Sequence, residues 1–203
     1  MFTGIVQGIA TLTRVERSSD IITWTVGFPD GSLEGVVIGA SVSLDGCCLT
    51  VTSIPAGCAT FDLVPETIQR SSFDKVTVGA ALNFERSLKF GDEIGGHLLS
   101  GHVDAVCQIV SIETFENSRV VTFKVAPELT KYLFVKGYVA LNGASLTLTK
   151  VDRSGGEFCV SLIPETLAKT TFSNKQVGDQ INLEIDRSTQ AIVETVERVL
   201  AER

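Results

Sequence analysis

The stretch DGCCLT at residues 45–50 recurs as NGASLT at residues 142–147, and this repetition decides the fold. Other short stretches recur in the same order, at an offset of 97 residues early in the repeat and of 99 residues later. They are GIV at 4–6 with GHV at 101–103, PET at 65–67 with PET at 164–166, and VG at 78–79 with VG at 177–178. Such a long period indicates a duplicated domain, because solenoid repeats are only about 20–50 residues long.

The repeat divides the 203-residue chain into two homologous halves. We expect an N-terminal domain at residues 1–87, a glycine-rich linker at residues 88–97, a C-terminal domain at residues 98–188 and a tail at residues 189–203.

Strand patterns dominate both domains. β-Branched and aromatic runs, IITWTV at 21–26 and VVTFKV at 120–125, predict strands. Alternating polar and apolar residues on both sides of Asp45-Gly46 predict a hairpin, and the same pattern surrounds Asn142-Gly143. Short strands at this spacing predict an all-β domain, either a closed barrel or a sandwich.

The tail predicts an amphipathic helix. Glu194 and Arg198 lie four residues apart on its polar face, and Ser188 or Thr189 can cap its start. The apolar face consists of Ile192, Val193, Val196, Val199 and Leu200. This helix either covers its own domain or packs against other copies of the chain. The second interpretation is favoured because both domains look complete without the helix.

Composition excludes several classes of function. The net charge is −7 and no basic run occurs, which argues against nucleic-acid binding. No stretch approaches the roughly 18 apolar residues of a membrane span, and the start MFTG lacks the features of a signal peptide. With 44% hydrophobic and only 20% charged residues, the chain has surface to bury between subunits or domains, although a compact monomer is equally compatible.

The five cysteines predict a reduced, cytoplasmic protein. Their number is odd and their spacing does not match that of metal ligands, so we expect neither disulfides nor a metal. They are Cys47, Cys48, Cys58, Cys107 and Cys159.

The two histidines lie close together, at His97 and His102. A lone histidine is more often structural than catalytic. His102, however, occupies the position of Ile5 in an otherwise matched stretch, so one copy has gained an ionisable group that titrates near neutral pH. This asymmetry indicates that the two copies have specialised.

Cys48 and Ser145 form a second asymmetric pair. Each is followed two residues later by a threonine, Thr50 or Thr147, on the same face of a strand. Such polar pairs can hydrogen-bond to a heterocycle. The alternative is a buried thiol that acts as a small apolar group.

Three carboxyl groups are further candidates for functional residues. Glu66 and Glu165 follow matched prolines, where they can contact a ligand or cap a short helical turn. Asp186 matches Ser87, so only the copy with His102 gains this carboxylate. Asp186 can assist His102 or cap the tail helix, and the sequence does not decide between these roles.

Taken together, MFTGIVQG, GCCLTV, FGDEIGGHLLSGH and LIPETL resemble the riboflavin synthase family, in its α-chain type. The resemblance covers the whole chain. It implies two tandem six-stranded Greek-key barrels and a C-terminal helix that assembles a homotrimer. It also implies a transferase without cofactor or metal, in which a four-carbon unit passes between two molecules of 6,7-dimethyl-8-ribityllumazine. The products are riboflavin and 5-amino-6-ribitylamino-uracil, and association with lumazine synthase is a further implied partnership.

The resemblance also implies which residues form the site, with the catalytic site lying between the first barrel of one chain and the second barrel of a neighbour. Catalytic groups match Ser41, Cys48, His102, Thr147 and Asp186, and Phe2 matches an aromatic residue near the ligand. The expected binding residues of the first barrel are Gly4, Ile5, Val6, Cys48, Leu49, Thr50, Asp62, Leu63, Val64, Pro65, Glu66 and Thr67. Those of the second barrel are Gly101, His102, Val103, Lys136, Ser145, Leu146, Thr147, Ser161, Leu162, Ile163, Pro164, Glu165 and Thr166.

Physical chemistry suggests roles for four of these residues. The 7-methyl group of the lumazine is acidic because the pteridine delocalises its carbanion, so a weak base such as His102, helped by Asp186, suffices. Cys48 and Ser41 would orient or activate a nucleophile at C7 of the other lumazine.

Two other functions remain open. A lumazine-binding fluorescent antenna protein would share the fold without catalysing, but this chain keeps the GCCLT, SGH, SLT and IPET motifs. A generic double-barrel binding module would show paired polar groups, yet it gives no reason for His102 and Asp186 to occur in one copy only.

Overall fold

In the computed structural model, which describes residues 1–202, the chain folds into two closed antiparallel barrels of six strands. The first contains β1 (Gly8–Arg17), β2 (Ile22–Gly27), β3 (Ser41–Leu44), β4 (Cys47–Ser53), β5 (Cys58–Leu63) and β6 (Ala81–Arg86). The second contains β7 (Ala105–Phe115), β8 (Ser118–Lys124), β9 (Tyr138–Leu141), β10 (Ala144–Asp152), β11 (Glu157–Leu162) and β12 (Gln180–Ile185).

Both barrels have the same Greek-key order of strands. Around the first barrel the order is β1-β2-β5-β4-β3-β6, and around the second it is β7-β8-β11-β10-β9-β12. The expected barrel architecture is confirmed, and the alternative of an open sandwich is wrong because each sheet closes on itself.

The repeated hairpins owe their shape to Asp45-Gly46 and Asn142-Gly143. All four residues have positive φ, at 41° and 83° in the first pair and at 42° and 78° in the second. Two left-handed residues form the tight turn whose twist matches that of paired strands, and Asp, Asn and Gly tolerate it best. The predicted hairpins β3–β4 and β9–β10 are confirmed.

Alternation along the strands fills each barrel with apolar side chains. Trp24, Phe61 and Leu12 are among the buried residues of the first core, and Phe123 and Phe158 stack within the second. Burial of each such side chain stabilises the fold by about 1.5–3 kcal/mol before the entropy of ordering is subtracted. The interiors are therefore packed, and any ligand must bind outside the barrels.

Two matched asparagines join the barrels about a pseudo-twofold axis. The side chain of Asn83 donates to the carbonyl of Asn142 at 2.9 Å and accepts from the Thr171 amide at 2.7 Å. In the same way, Asn182 donates to the carbonyl of Asp45 at 2.8 Å and accepts from the Ser72 amide at 2.7 Å. Each asparagine belongs to one barrel and satisfies backbone groups of the other.

Three α-helices lie outside the barrels. The helices α1 (Pro65–Arg70) and α2 (Pro164–Lys169) follow β5 and β11, and short 3-10 helices occupy Ser72–Lys75, Pro127–Tyr132 and Thr171–Ser173. The tail forms α3 (Arg187–Ala201), as expected. No helix among residues 1–202 is long and apolar enough to cross a membrane.

The cap of α3 is one of the three residues that the sequence offered for it. Asp186 caps the helix, because its carboxylate accepts from the amide of Thr189 at 2.9 Å and from the Thr189 hydroxyl at 2.7 Å. The prediction that Ser188 or Thr189 is the cap is wrong, and the helix begins two residues before the predicted tail. A carboxylate is the better cap here because it satisfies both donors of Thr189.

Candidate functional site

Two short segments pack between the barrels, and they build the site. We call residues 2–7 the first lead-in segment and residues 99–104 the second, since they run into β1 and β7. They pair with each other through Phe2 and Leu99, whose backbone groups exchange two hydrogen bonds of 2.9 and 3.0 Å.

Each lead-in segment contacts the hairpin of the opposite barrel. The carbonyl of Gly4 accepts from the Ser145 amide at 2.8 Å, and the carbonyl of Gly101 accepts from the Cys48 amide at 2.7 Å. Both glycines have positive φ, at 74° and 77°, and a Cβ on either would lie only 2.5–2.6 Å from the Cβ of Ser145 or Cys48. Glycine is therefore required at both positions by conformation and by space.

A buried glutamate holds each lead-in segment from its own barrel. Glu85 accepts from the amide and hydroxyl of Thr3 at 2.6 and 2.7 Å and from the amide of Gly4 at 2.9 Å. Glu184 does the same for Ser100 and Gly101, at 2.7, 2.6 and 3.0 Å. Burial raises the pKa of both carboxyls, and these hydrogen bonds oppose that increase.

The second lead-in segment forms one wall of a cavity of about 510 Å³, which we call the thiol cavity. The other walls come from the first barrel and from the start of α3. Its lining residues are Cys47, Cys48, Glu66, Thr67, Arg70, Ser71, Gly101, His102, Val103, Asp104 and Arg187.

The first lead-in segment forms one wall of a matched cavity of about 450 Å³, which we call the hydroxyl cavity. Here the second barrel supplies the other walls. Its lining residues are Gly4, Ile5, Val6, Gln7, Ala144, Ser145, Ile163, Glu165, Thr166, Lys169 and Thr170.

This arrangement corrects the expected grouping of the binding residues. The resemblance implies residues 4–6 in the site of the first barrel and residues 101–103 in that of the second. In the structure each triplet crosses to the cavity of the other barrel, because the lead-in segments pack on the opposite hairpins. The side chains of Val6 and Val103 accordingly pack against the core of the opposite barrel.

The predicted polar pairs lie on the outward faces of the hairpins. Cys48 and Thr50 point away from the first core, and Ser41 pairs directly with Thr50. Cys47 points inward, and burial, aided by the neighbouring Cys48 and Glu184, raises the pKa of its thiol to about 12. Cys48 is therefore the thiol of the pair that a ligand can reach.

The second hairpin repeats this pattern with one change that the sequence reasoning missed. Ser145 and Thr147 face outward, and Thr147 pairs with Tyr138, which occupies the position of Ser41. The Tyr138 ring stacks on His97, with 5.2 Å between ring centroids. The repeat offset of 97 residues would have identified Tyr138 as the counterpart of Ser41.

Within one chain, Asp186 forms no hydrogen bond with His102 and instead bonds to Thr189. The Asp186 carboxylate caps α3, and the histidine that contributes to its pKa is His97. Partial burial raises the pKa of Asp186, but the Thr189 hydrogen bonds and His97 together hold it below its usual value. The assistance of His102 by Asp186 stays a prediction, whereas the alternative role of Asp186 as the helix cap is confirmed.

Several predicted residues contribute only backbone or lie elsewhere. The side chains of Leu49, Leu63, Leu146 and Leu162 are buried in the cores, so only their backbone groups can face a ligand. Asp62 and Ser161 are exposed on β5 and β11, and Asp62 accepts from the Thr23 hydroxyl at 2.7 Å. Val64 and Ile163 precede the helices that Pro65 and Pro164 begin.

Lys136 lies outside both cavities, in the turn before β9. It has a positive φ of 70°, which is unusual for a residue other than glycine, and its repeat counterpart is Gly39 with a φ of 88°. The side chain of Lys136 is exposed.

The cavities also contain charged residues that the sequence reasoning did not select. Arg70 and Lys169, at the ends of α1 and α2, are repeat counterparts and line matching walls. The repeat offset of 99 residues, applied to charged residues, would have identified this pair. The thiol cavity also contains two charged residues whose repeat counterparts are uncharged. They are Asp104, which matches Gln7, and Arg187, which matches Leu88.

Metal-binding clusters are absent from the described part of the chain, where no three His, Cys, Asp or Glu side chains could hold an ion. All five cysteines are free.

Comparison with known proteins identifies the class to which this arrangement belongs. A family model, the lumazine binding domain, matches residues 3–87 and again residues 100–186. Two solved structures of LumP share the double-barrel fold at 24% identity, each covering 92% of this chain and 100% of LumP. The complex with riboflavin has a TM-score of 0.85, and the one with 6,7-dimethyl-8-(1'-D-ribityl) lumazine has 0.83. The fold and the repeated site therefore define a protein of two lumazine binding domains.

Proteins similar in sequence identify the family within this class. Riboflavin synthase of Escherichia coli (strain K12) is 48% identical over 204 residues, which cover 100% of this chain and 95% of the relative. Riboflavin synthases of Chlamydia pneumoniae and Bacillus subtilis (strain 168) are 41% and 36% identical, covering 99% and 92% of this chain and 98% and 85% of the relatives. The chain belongs to the riboflavin synthase family.

Proposed function

We propose that this protein is a riboflavin synthase, a transferase that moves a four-carbon unit between two molecules of 6,7-dimethyl-8-ribityllumazine. The products are riboflavin and 5-amino-6-ribitylamino-uracil. One observation carries the proposal: two matched cavities of similar size differ in their reactive groups, because only the thiol cavity contains an imidazole and an accessible thiol. A reaction that makes two copies of one molecule behave differently needs such an unequal pair.

His102 and Cys48 would carry the chemistry of the thiol cavity. The imidazole would act as base or proton shuttle at the acidic 7-methyl group, and Cys48, with Ser41 beside it on the hairpin, would direct a nucleophile to C7. In the hydroxyl cavity Ser145 would orient the second lumazine by hydrogen bonds. Thr147, on the same outward face of the hairpin, would assist from outside the cavity lining.

The two lumazines would meet across a contact between chains. No residue of the described chain lines both cavities, which supports a site completed by a neighbour. Holding two reactants in one orientation can lower the barrier by roughly 7–11 kcal/mol.

Helix α3 supports the assembly of a homotrimer. Its polar side faces its own barrel, where Glu197 pairs with Lys131 at 2.6 Å and Glu194 accepts from the Tyr132 hydroxyl at 3.1 Å. Of the predicted apolar face, Val193 packs against its own barrel. The rest of the stripe points away, since Ile192, Val196, Val199 and Leu200 are 46–65% exposed. Exposed apolar stripes at helical spacing favour packing against another helix, and other copies of α3 provide one.

We further propose a cytoplasmic protein, because five free thiols suit a reducing compartment.

We also propose association with lumazine synthase, which would supply the substrate. Co-sedimentation of the two proteins tests this.

The decisive experiment is incubation with 6,7-dimethyl-8-ribityllumazine while riboflavin absorbance is followed. We expect riboflavin formation by the unmodified protein and a loss of about 10²–10⁴-fold in kcat for His102→Gln. Cys48→Ser should also lose activity, whereas Cys58→Ser, a thiol outside both cavities, should not. A protein that binds the lumazine but forms no riboflavin would instead be an antenna.

A further inference from the structure

Arg187, the first residue of α3, donates three hydrogen bonds to the second lead-in segment. Its guanidinium donates to the carbonyl of His102 at 2.7 Å, to the carboxylate of Asp104 at 2.8 Å and to the hydroxyl of Ser100 at 3.3 Å. A further hydrogen bond, to the side chain of Gln190, ties the guanidinium to its own helix. One planar group thus holds His102 and two residues that flank it, Ser100 and Asp104.

The backbone of His102 is consequently fixed on both sides. Its amide donates to the Ser100 hydroxyl at 3.3 Å, and its carbonyl accepts from Arg187. The Ser100 hydroxyl is itself held by Glu184 at 2.6 Å. Since the His102 side chain is exposed, packing does not fix its direction, and these backbone bonds are what restrain it.

The first lead-in segment lacks this anchor. Glu85 matches Glu184, but the counterpart of Arg187 is Leu88, whose amide simply donates to the carbonyl of Met1 at 3.0 Å. The counterpart of Asp104 is Gln7, which accepts from the backbone amide of Arg86 at 3.0 Å. The segment that presents Ile5 is therefore held by one carboxylate, and the segment that presents His102 by a carboxylate and a guanidinium.

We infer that Arg187 is a positioning residue for His102, which makes the placement of this imidazole depend on the seating of α3. The inference rests on the proposed function, in which His102 acts on the lumazine. A guanidinium is suited to this role because its rigid fork can serve several acceptors at once, whereas a lysine ammonium is a flexible point charge. Displacement of a reacting group by about 1 Å can cost roughly 10²-fold in rate.

Substitution of Arg187 tests the inference. For Arg187→Gln we expect kcat to fall by about 10–100-fold, while the Kd of the lumazine changes by less than about three-fold, because the other cavity walls remain. Arg187→Lys, which keeps the charge and one of the contacts, should recover part of kcat. Arg198→Gln is the matched control, since Arg198 lies on the same helix and its side chain forms no hydrogen bond within residues 1–202. It should retain full activity.

Histidine NMR separates positioning from general damage. The chain contains only two histidines, so ring-labelled protein gives signals from His97 and His102 alone. Loss of Arg187 should shift or broaden the His102 signals and leave those of His97 unchanged, because His97 is held by Ser145 and Tyr138 instead.

The outcomes are distinct. If the unmodified protein makes no riboflavin, the proposed function fails, and the NMR comparison still decides whether Arg187 restrains His102. If the unmodified protein is active and Arg187→Gln keeps both its kcat and its His102 signals, the inference is wrong. It is equally wrong if both histidines change and activity falls only in proportion to the folded or assembled fraction.

Discussion

The Nδ1 atom of His97 lies 2.7 Å from the Oγ atom of Ser145, and this bond links the linker to the wall of the hydroxyl cavity. His97 is buried, with only 8% of its surface exposed, and its Nε2 atom has no partner among the described residues. Burial lowers the pKa of His97 although Asp186 opposes this, so the imidazole is neutral at pH 7. With Nδ1 as the protonated nitrogen, the Ser145 hydroxyl is left free to donate to a ligand.

For His97→Phe, which keeps a ring against Tyr138 but removes the hydrogen bond, we predict a free energy of unfolding lower by about 1 kcal/mol at pH 7.5. The folded-state pKa of His97 lies below its unfolded value, so the stability from the neutral imidazole is present above pH 6.5 and is lost as pH falls. The difference between the two proteins should therefore shrink at pH 5.5 in denaturant titrations. Ser145→Ala removes the same bond and retains the imidazole, so it should keep the wild-type pH dependence, and parallel curves for all three proteins would contradict the prediction.

Asp45 provides a pH effect of opposite sign. Burial raises the pKa of Asp45 to about 7, against Lys175 and the Asn83 amide, which lower it. Because its folded-state pKa exceeds the unfolded value of 3.8, stability is fully present below pH 3.8 and is lost as pH rises to about 7. We predict that Asp45→Asn, which copies the residue at the matched position 142, stabilises the protein at pH 8 by roughly 2–4 kcal/mol relative to its effect at pH 4.

The reverse change supplies the control for Asp45. Asn142→Asp should introduce a similar cost at pH 8, visible as a lower midpoint of urea unfolding. If neither variant alters the difference in stability between pH 4 and pH 8, the Asp45 carboxyl titrates normally.

A third prediction concerns stability and follows from the contact between Gly46 and Gly143. A Cβ at Gly46 would lie 2.8 Å from the amide nitrogen of Gly143, whereas a Cβ at Gly79 would meet nothing within 4 Å, and both residues have positive φ. We predict that Gly79→Ala costs about 1 kcal/mol, from backbone strain alone. Gly46→Ala should cost several times more, because the two barrels must also move apart, and calorimetry would show this as a much lower Tm. Equal losses would mean that the barrels are free to shift.

The stripe of α3 gives a fourth prediction. Ile192→Glu and Val196→Glu place charges on the exposed apolar face and should convert a trimer into single chains, as measured by analytical ultracentrifugation. Riboflavin formation should fall by at least roughly ten-fold, because separated chains do not bring the two cavities together. Arg198→Glu changes the charge beside the stripe and should leave the trimer intact. A mass of one chain for the unmodified protein would exclude this mode of assembly.

The features that followed from the sequence are those with a local signature. Asp45-Gly46 and Asn142-Gly143 specify tight turns through their own φ preferences, and the outward direction of Cys48 and Ser145 follows from strand alternation. The apolar stripe of α3 follows from helical spacing in the same way.

The features that did not follow depend on packing between distant parts of the chain. Nothing local in residues 4–6 indicates that they cross to the opposite barrel, because that contact arises when two homologous surfaces meet about an axis. The sequence did not decide between the two roles of Asp186, because a helix cap and an ion pair require the same residue type. Arg187 was missed although its counterpart is the uncharged Leu88, which is the same kind of asymmetry that selected His102.

The crossing of the lead-in segments constrains how the two halves of the gene can evolve. Each cavity draws its walls from both halves of the gene, so a substitution in one half is selected through the pocket of the other. Fission of the gene between the halves would leave each fragment with part of two pockets and the whole of neither. Once duplicated and crossed in this way, the halves can diverge only in concert.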